Sequence, residues 1–343
     1  MMEDGRFDVA CSGSLLGIAG YNREGSAEVS VGSEYPLEMH SLDFEEFLWA
    51  KGIPTDIIDS VKSAFENKTE VDSFVHEEFS KLFREYICLG GMPEVIQTYL
   101  DTSDLHEAHL SKSGILDGYR SDFAKHLNEN GEEKVDRSLL AKILFVYNSI
   151  PSQLASDRGR FVVSHLGKDA RRSDYNAAIR WLSDAGLLLL CHNIVSPSLP
   201  LDGYKRNGYF KLYFRDFGLF LSMLPYYVTE NLYFGNNELG VYSGAIYENV
   251  VADALSKNGF MLYYYRKDTG LEIDFIEEYK GEPVLMEVKA TNGDTKAART
   301  VISDKSNSVN KVVKITSSNL GYIGTYLTIP HYMAFLLKPD SRI

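Results

Sequence analysis

The chain has 343 residues, of which 44% are hydrophobic and 24% are charged. This composition is typical of a folded globular protein and excludes a disordered, collagen-like or disulfide-rich chain. The apolar run at residues 185–191 is far shorter than the ~20 residues of a membrane span, and the first residues are acidic, unlike a signal peptide. Cys11, Cys88 and Cys191 lack the spacing of a zinc site or a disulfide set, so we expect a cytoplasmic protein without a membrane partner.

The charge balance is acidic, with 48 Asp and Glu against 35 Lys and Arg and a net charge of −13. Non-specific binding to nucleic acid depends on Lys and Arg at phosphates, so this balance argues against a protein that coats DNA. It remains compatible with a local basic patch and with an acidic site that binds a metal ion.

The first 40 residues contain short strand patterns at residues 6–12 and 27–31. A Gly-Ser run follows the first of these strands, but the chain contains no Gly-Lys-Ser/Thr of a phosphate loop. The two strands therefore resemble the end of a larger sheet whose earlier strands are missing.

Helical periodicity dominates residues 41–130, and a Gly-Gly-Met-Pro stop follows the helix predicted at 77–88. The most polar stretch, 128–133, is a candidate linker. We interpret this region as a helical domain.

Residues 131–217 show the element order of a winged helix. Three helices are predicted at 138–150, 161–166 and 173–185, followed by strands at 187–194 and 208–214. The third helix would be the recognition helix, and the basic residues around it are Lys168, Arg171, Arg172 and Arg180. They are candidate nucleic-acid contacts. Three aspartates interleave with them, and winged helices also bind proteins, so a DNA partner and a protein partner both remain open.

The last unit, residues 218–343, has an α/β pattern that indicates a mixed sheet. A helix is predicted at 244–257, and a long segment at 295–309 separates the later strands. The predicted strands are 260–265, 270–277, 283–290, 311–316 and 333–337. The whole chain is therefore predicted to be an α/β multidomain protein.

Four residues of this last unit form the strongest chemical pattern. Asp274 lies in one predicted strand, and Glu287 and Lys289 share a face of the next strand. A turn joins these strands, so Asp274 and Glu287 should lie side by side, with Lys289 about 7 Å further along. Glu248 lies on or near the buried stripe of the preceding helix and needs a partner there.

Two adjacent carboxylates repel each other unless a cation lies between them, and a divalent metal that prefers oxygen ligands is the usual solution. A neighbouring lysine can then orient or deprotonate water for phosphodiester hydrolysis. The alternative is structural: Glu287 and Lys289 form an ion pair along the strand, and Asp274 is an exposed strand residue. Spacing alone does not decide between them.

The order Glu248, Asp274, Glu287-Val-Lys289 resembles the PD-(D/E)xK nuclease superfamily. In that superfamily the Asp and the Glu residues hold magnesium and the Lys assists the nucleophilic water, which would make all four residues catalytic and Asp274, Glu287 and Glu248 metal ligands. The whole chain also resembles a prokaryotic group of AAA-type ATPases, which continue into a helical lid, a winged helix and a restriction-endonuclease-like domain. The matching segments are 11–16, 35–37, 44–47, 90–93, 243–248, 265–266, 272–275 and 287–289.

The resemblance implies boundaries and a function. Residues 1–40 would be a remnant of the ATPase core, 41–130 the lid, 131–217 the winged helix and 218–343 the nuclease-like domain. The phosphate loop and the acidic metal-binding strand of the family are missing, so we expect neither ATP binding nor ATP hydrolysis by this chain. We expect a magnesium-dependent DNA nuclease; the alternative is a non-catalytic module that binds DNA or protein through the winged helix.

Overall fold

The computed structural model describes residues 37–126, 137–156, 159–167, 170–236, 238–279 and 281–339. The fold is α/β with two mixed sheets, as the sequence predicts. Three sequence predictions lie wholly or largely outside the described residues: the ATPase remnant at 1–40, of which only 37–40 are described, the linker at 128–133, and Lys168.

The region predicted as a helical lid is helical. Asp43 and Glu46 form a capping box at the first helix, and the third helix ends at Gly90, whose φ of 82° favours glycine. A Cβ at Gly90 would lie 2.8 Å from the Cα of Gly218, so the close approach of these two segments also requires a glycine. The helices are α1 Phe44–Ala50, α2 Thr55–Asn67, α3 Ser73–Leu89, α4 Pro93–Thr102 and α5 Leu105–His126.

The element order of a winged helix follows. It comprises α6 Arg137–Leu154, a 3-10 helix Val163–Leu166, α7 Arg172–Asp184, β1 Leu188–Ile194 and β2 Lys205–Phe214. Three further helices are α8 Phe217–Ser222, α9 Tyr226–Tyr233 and α10 Tyr242–Lys257. Strands β1 and β2 pair antiparallel, which forms the predicted hairpin.

The remaining elements complete two sheets. They are β3 Tyr263–Arg266, β4 Glu272–Ile273, β5 Phe275–Tyr279, β6 Glu282–Val288, α11 Lys296–Ser303, β7 Lys311–Thr316, β8 Gly321–Ile323, β9 Tyr326–Pro330 and a 3-10 helix His331–Leu336. One sheet has the order β2-β1-β3-β4 and the other β5-β6-β7-β9-β8. In the larger sheet β6, β7 and β9 are parallel neighbours, and the two outer pairs are antiparallel.

The smaller sheet crosses the boundary predicted at 217/218. Strand β1 of the winged helix pairs in parallel with β3, with His192 opposite Tyr263. Asn249 of α10 binds both backbone groups of Phe214 at the end of β2: it accepts from the N–H at 2.9 Å and donates to the carbonyl at 2.8 Å. The two regions predicted as a winged helix and a nuclease-like domain therefore share one sheet, in which β3 lies between β1 and β4.

Two predicted strands differ from the structure. The strand at 270–277 breaks at Asp274, so that β4 belongs to one sheet and β5 to the other. The segment 333–337 falls mainly in a 3-10 helix, and the strand lies just before it at β9. A short buried apolar run is compatible with either structure, so periodicity alone did not distinguish them.

A hydrophobic core of buried side chains extends from Phe44 in α1 to Leu337 near the end of the described chain, and a second cluster around Ile194, Tyr265 and Ile276 packs between the two sheets and α11. The two sheets therefore meet at Asp274. Over the residues whose structure is described, we find no helix with the length and apolar character needed to cross a membrane.

Candidate functional site

Two carboxylates and a lysine converge where β4 passes into β5. The register of β5 and β6 pairs Phe275 with Met286 and so brings Asp274 beside Glu287. The Nζ atom of Lys289 lies 3.5 Å from Oδ2 of Asp274 and 3.2 Å from Oε2 of Glu287. The structure therefore brings together three of the four predicted catalytic residues around one point.

Backbone groups fix both carboxylates. The N–H of Val288 donates to Oδ2 of Asp274 at 2.8 Å, and the N–H of Ala298, in the first turn of α11, donates to Oε1 of Glu287 at 2.7 Å. The Glu287 side chain is 2% exposed, whereas that of Lys289 is 30% exposed. Solvent or a ligand therefore reaches the site from the Lys289 side.

The position of Lys289 depends on two small features. A Cβ at Gly293 would lie 2.9 Å from Cδ of Lys289, so the glycine leaves room for the lysine stem. The Nε2–H of His331 donates to the Lys289 carbonyl at 2.9 Å, and burial lowers the pKa of His331 to about 4, so the imidazole is neutral. His331 thus holds the end of β6 without adding a charge.

A second lysine, which the sequence did not indicate, lies beside this group. Lys211 of β2 is 1% exposed, and its Nζ atom lies 3.0 Å from Oε2 of Glu248 and 2.8 Å from Oε1 of Glu272. The hydroxyl of Tyr213 donates to the same Glu248 oxygen at 2.8 Å, and Arg266 pairs with the other oxygen of Glu272 at 2.6 Å. Glu248, the fourth predicted catalytic residue, therefore has two partners from β2.

The charged side chains around Lys289 and those around Lys211 shift each other's pKa values. Burial and the negative charge of Glu248 raise the pKa of Asp274 above its ordinary value, against the opposing effect of Lys289 and Lys211. Burial by itself lowers the pKa of Lys211, but Glu248 and other nearby groups outweigh it and raise that pKa well above its ordinary value. Both lysines are therefore charged at neutral pH, since the carboxylates also raise the pKa of Lys289.

Two of the three predicted metal ligands, Asp274 and Glu287, are placed where they could bind a magnesium ion, but the third, Glu248, is not. Asp274 and Glu287 supply hard oxygen donors that converge, and Mg²⁺ is commonly bound by one or two carboxylates together with substrate phosphates. Within the described ranges, no three His, Cys, Asp or Glu side chains are placed to hold one metal ion together. The predicted third ligand, Glu248, is instead bound to Lys211 and Tyr213.

Three arginines lie over aromatic rings of β2. The guanidinium groups of Arg160 and Arg206 lie 4.8 Å and 4.0 Å from the centre of the Tyr209 ring, and that of Arg172 lies 5.1 Å from the Phe210 ring. We call Arg160, Arg172, Arg206 and Tyr209 the wing surface.

The predicted nucleic-acid contacts fall only partly on the wing surface. Arg172 belongs to it, and Arg171 is exposed at the start of α7. Arg180 is also exposed and lies 3.8 Å from Asp184, which offsets its charge. Arg160 and Arg206 were not anticipated, because they lie in a loop and at a strand end rather than at the recognition helix.

Comparisons with known proteins match two segments. Residues 80–227 are similar to a family described as Domain of unknown function (DUF8612), and residues 243–332 to one described as Domain of unknown function (DUF4143). The second is a domain often found with AAA ATPases, which agrees with the ATPase-associated part of the resemblance. Neither the curated proteins nor the solved structures contain a match.

Proposed function

We propose that this chain hydrolyses phosphodiester bonds of DNA at Asp274, Glu287 and Lys289. The observation that carries the proposal is the convergence of Asp274 Oδ2 and Glu287 Oε2 on the Nζ atom of Lys289 across paired strands. Backbone N–H groups hold both carboxylates, and the carboxylates in turn hold Lys289, so the arrangement exists before a substrate binds.

Each residue has a distinct role. A magnesium or manganese ion held by Asp274 and Glu287 would polarise a phosphoryl oxygen and lower the pKa of bound water. Lys289, partly exposed and charged, can hydrogen-bond to a phosphate oxygen and stabilise the negative charge that develops during hydrolysis. Glu287 keeps Lys289 in place, since its own position is fixed by the N–H of Ala298.

The wing surface would bind the DNA backbone. Arginines bind DNA by neutralising its phosphates. The guanidinium groups of Arg160 and Arg206 both lie over the Tyr209 ring, so their two positive charges are held close together. The loop at Gly159 packs on Lys211, because a Cβ at Gly159 would lie 3.4 Å from Cε of Lys211, and Arg160 is the next residue of this loop. In this proposal a DNA strand bound by the arginines runs from the wing surface toward Asp274, Glu287 and Lys289.

A cleavage assay tests the proposal. Labelled single-stranded and double-stranded DNA, with RNA as a comparison, would be incubated with the protein and Mg²⁺ or Mn²⁺. We expect metal-dependent cleavage of DNA, reduced at least about 100-fold in Asp274→Asn and Lys289→Met, because each removes one of the converging groups. The matched control is Glu278→Gln, an exposed carboxylate on the same hairpin. Cleavage that persists in Asp274→Asn would contradict the proposal.

A second candidate function is DNA binding without hydrolysis, which the ion pairs of Lys211 favour. Lys211, Lys289 and Arg266 already compensate most of the negative charge of the nearby carboxylates, which weakens the attraction for a divalent ion. The same assay separates the candidates: DNA that is retained by the wild type but not cleaved with either metal supports this second function.

A further inference from the structure

The ammonium group of Lys211 is enclosed by protein. A charged group removed from water is costly unless it is paired and hydrogen-bonded. Glu248 comes from α10 and Glu272 from β4, so elements far apart in sequence supply the compensating charges. Because Lys211 is 1% exposed, its ammonium group forms these ion pairs in the protein interior and not as a flexible surface contact.

The surroundings of Lys211 leave it little freedom to move. Its stem lies against Gly159, and its Nζ atom is 5.3 Å from the centre of the Tyr264 ring. A divalent ion bound to Glu248 would have to displace this ammonium, which lies 3.0 Å from Oε2 of Glu248. The Glu248 side of the site is therefore already occupied by a positive charge.

The two lysines divide the carboxylates between them. Lys211 bridges Glu248 and Glu272, whereas Lys289 contacts Asp274 and Glu287. Of the two ammonium groups, only that of Lys289 is appreciably exposed, whereas the carboxylates of Glu248 and Glu272 are themselves 22% and 21% exposed. The two halves of the group therefore differ in the exposure of their cation.

From this asymmetry we propose that Lys211 is the permanent cation of the site, taking the place of a divalent ion at Glu248 and limiting the site to one metal ion at Asp274 and Glu287. The inference rests on the proposed function, because it specifies how many metal ions that site binds. Lys211 is a positioning residue in this scheme: it holds Glu248 and Glu272 and does not contact the substrate.

Titration calorimetry with Mn²⁺ on the full chain tests the inference. We expect one ion per chain in the wild type and in Lys211→Arg, which keeps the charge. In Lys211→Met, Glu248 loses its cation and Glu272 keeps only Arg266, so the two carboxylates should bind a second ion, and Mn²⁺ should raise the unfolding temperature more than it does in the wild type. Two ions in the wild type, or an unchanged stoichiometry in Lys211→Met, would overturn the inference.

A second pair of variants covers the case in which Lys211→Met does not fold. Glu248→Gln should keep one Mn²⁺ at an affinity within about twofold of the wild type. Asp274→Asn should lose at least about tenfold in affinity, because Asp274 is a ligand in this scheme and Glu248 is not. An equal loss in both variants would identify Glu248 as a ligand and overturn the inference.

The outcomes also separate this inference from the proposed function. If the wild type binds no Mn²⁺ and cleaves no DNA, the proposed function fails. The role of Lys211 as resident cation is then still supported if Lys211→Met gains one ion, and it is overturned if that variant gains none.

Discussion

The Nζ atom of Lys211 lies 3.0 Å from Oε2 of Glu248, although the two residues are 37 positions apart and belong to different predicted domains. The contact exists because β2 and α10 are joined at the end of the hairpin, where Asn249 binds the backbone of Phe214. The candidate site is therefore assembled from residues on both sides of the boundary predicted at 217/218.

The junction at Asn249 should contribute strongly to stability. Asn249→Ala would leave the buried N–H and carbonyl of Phe214 without partners, so we expect the free energy of unfolding to fall by about 2–4 kcal/mol. Urea unfolding at pH 7 measures this change. Asn67→Ala, which removes an exposed amide at the end of α2, is the control and should change it by less than about 0.5 kcal/mol. A similar effect of both substitutions would show that the junction is not a special source of stability.

Gly208 should be required for the wing surface. Its φ is 87°, and a Cβ there would overlap Nη1 of Arg172. Gly208→Ala should displace that guanidinium from the Phe210 ring and weaken DNA binding several-fold, measured by fluorescence anisotropy. Gly270→Ala is the matched control, since Gly270 has a φ of 94° and no atom near its Cβ position. Both variants should lose about 1 kcal/mol of stability from the backbone conformation, but only the first should lose affinity.

Arg160 should contribute one phosphate contact. Arg160→Ala is expected to weaken DNA binding uniformly across sequences, and the slope of log K against log salt concentration should become shallower by about 0.9. Binding measured between low and moderate salt gives the slope. Lys81→Ala removes an exposed charge from α3, and we expect its slope to match that of the wild type. An unchanged slope for Arg160→Ala would place the DNA elsewhere.

The buried carboxyl of Asp253 should make stability depend on pH. Burial raises its pKa to about 7, against the opposing effect of Lys257 at 2.7 Å; Asp216 raises that pKa further and Arg215 lowers it. The folded state therefore holds the Asp253 proton more tightly than the unfolded state, whose pKa is about 4. The stabilising contribution is complete below pH 4 and is lost as the pH rises through 7.

Comparison with Asp253→Asn isolates this group. The unfolding free energy of the wild type, relative to the variant, should fall by about 2 kcal/mol between pH 5 and pH 7. Urea unfolding of both proteins at several pH values measures the difference. Asp56→Asn, at an exposed position in the first turn of α2, should show no such trend. A difference that rises with pH would mean that Asp253 is charged and well compensated in the folded state.

Much of the fold could be predicted from local patterns. The helix at 244–257 and the strand at 311–316 agree closely with α10 and β7, because amphipathic periodicity and β-branched alternation are properties of neighbouring residues. The hairpin that brings Asp274 beside Glu287 was predictable for the same reason, since a short turn fixes which strands pair.

The features that were missed depend on distant partners. Lys211 occupies an ordinary polar position in a strand pattern, and its burial follows from Glu248 and Glu272, which no local window contains. The pairing of β1 with β3 likewise joins His192 to Tyr263, which are far apart in the sequence. The residues near the boundary at 217/218 therefore gave no indication that one sheet crosses it.

The shared sheet determines how this chain can be divided for experiments. The matched segment 80–227 contains β1 and β2, and the matched segment 243–332 contains β3 and β4, so a cut between them severs a single hydrogen-bonded layer. Each fragment would expose the unpaired backbone groups of an edge strand and the apolar side chains beside it, which favours aggregation. We therefore expect the two segments to fold as one unit, and they should be expressed and purified together.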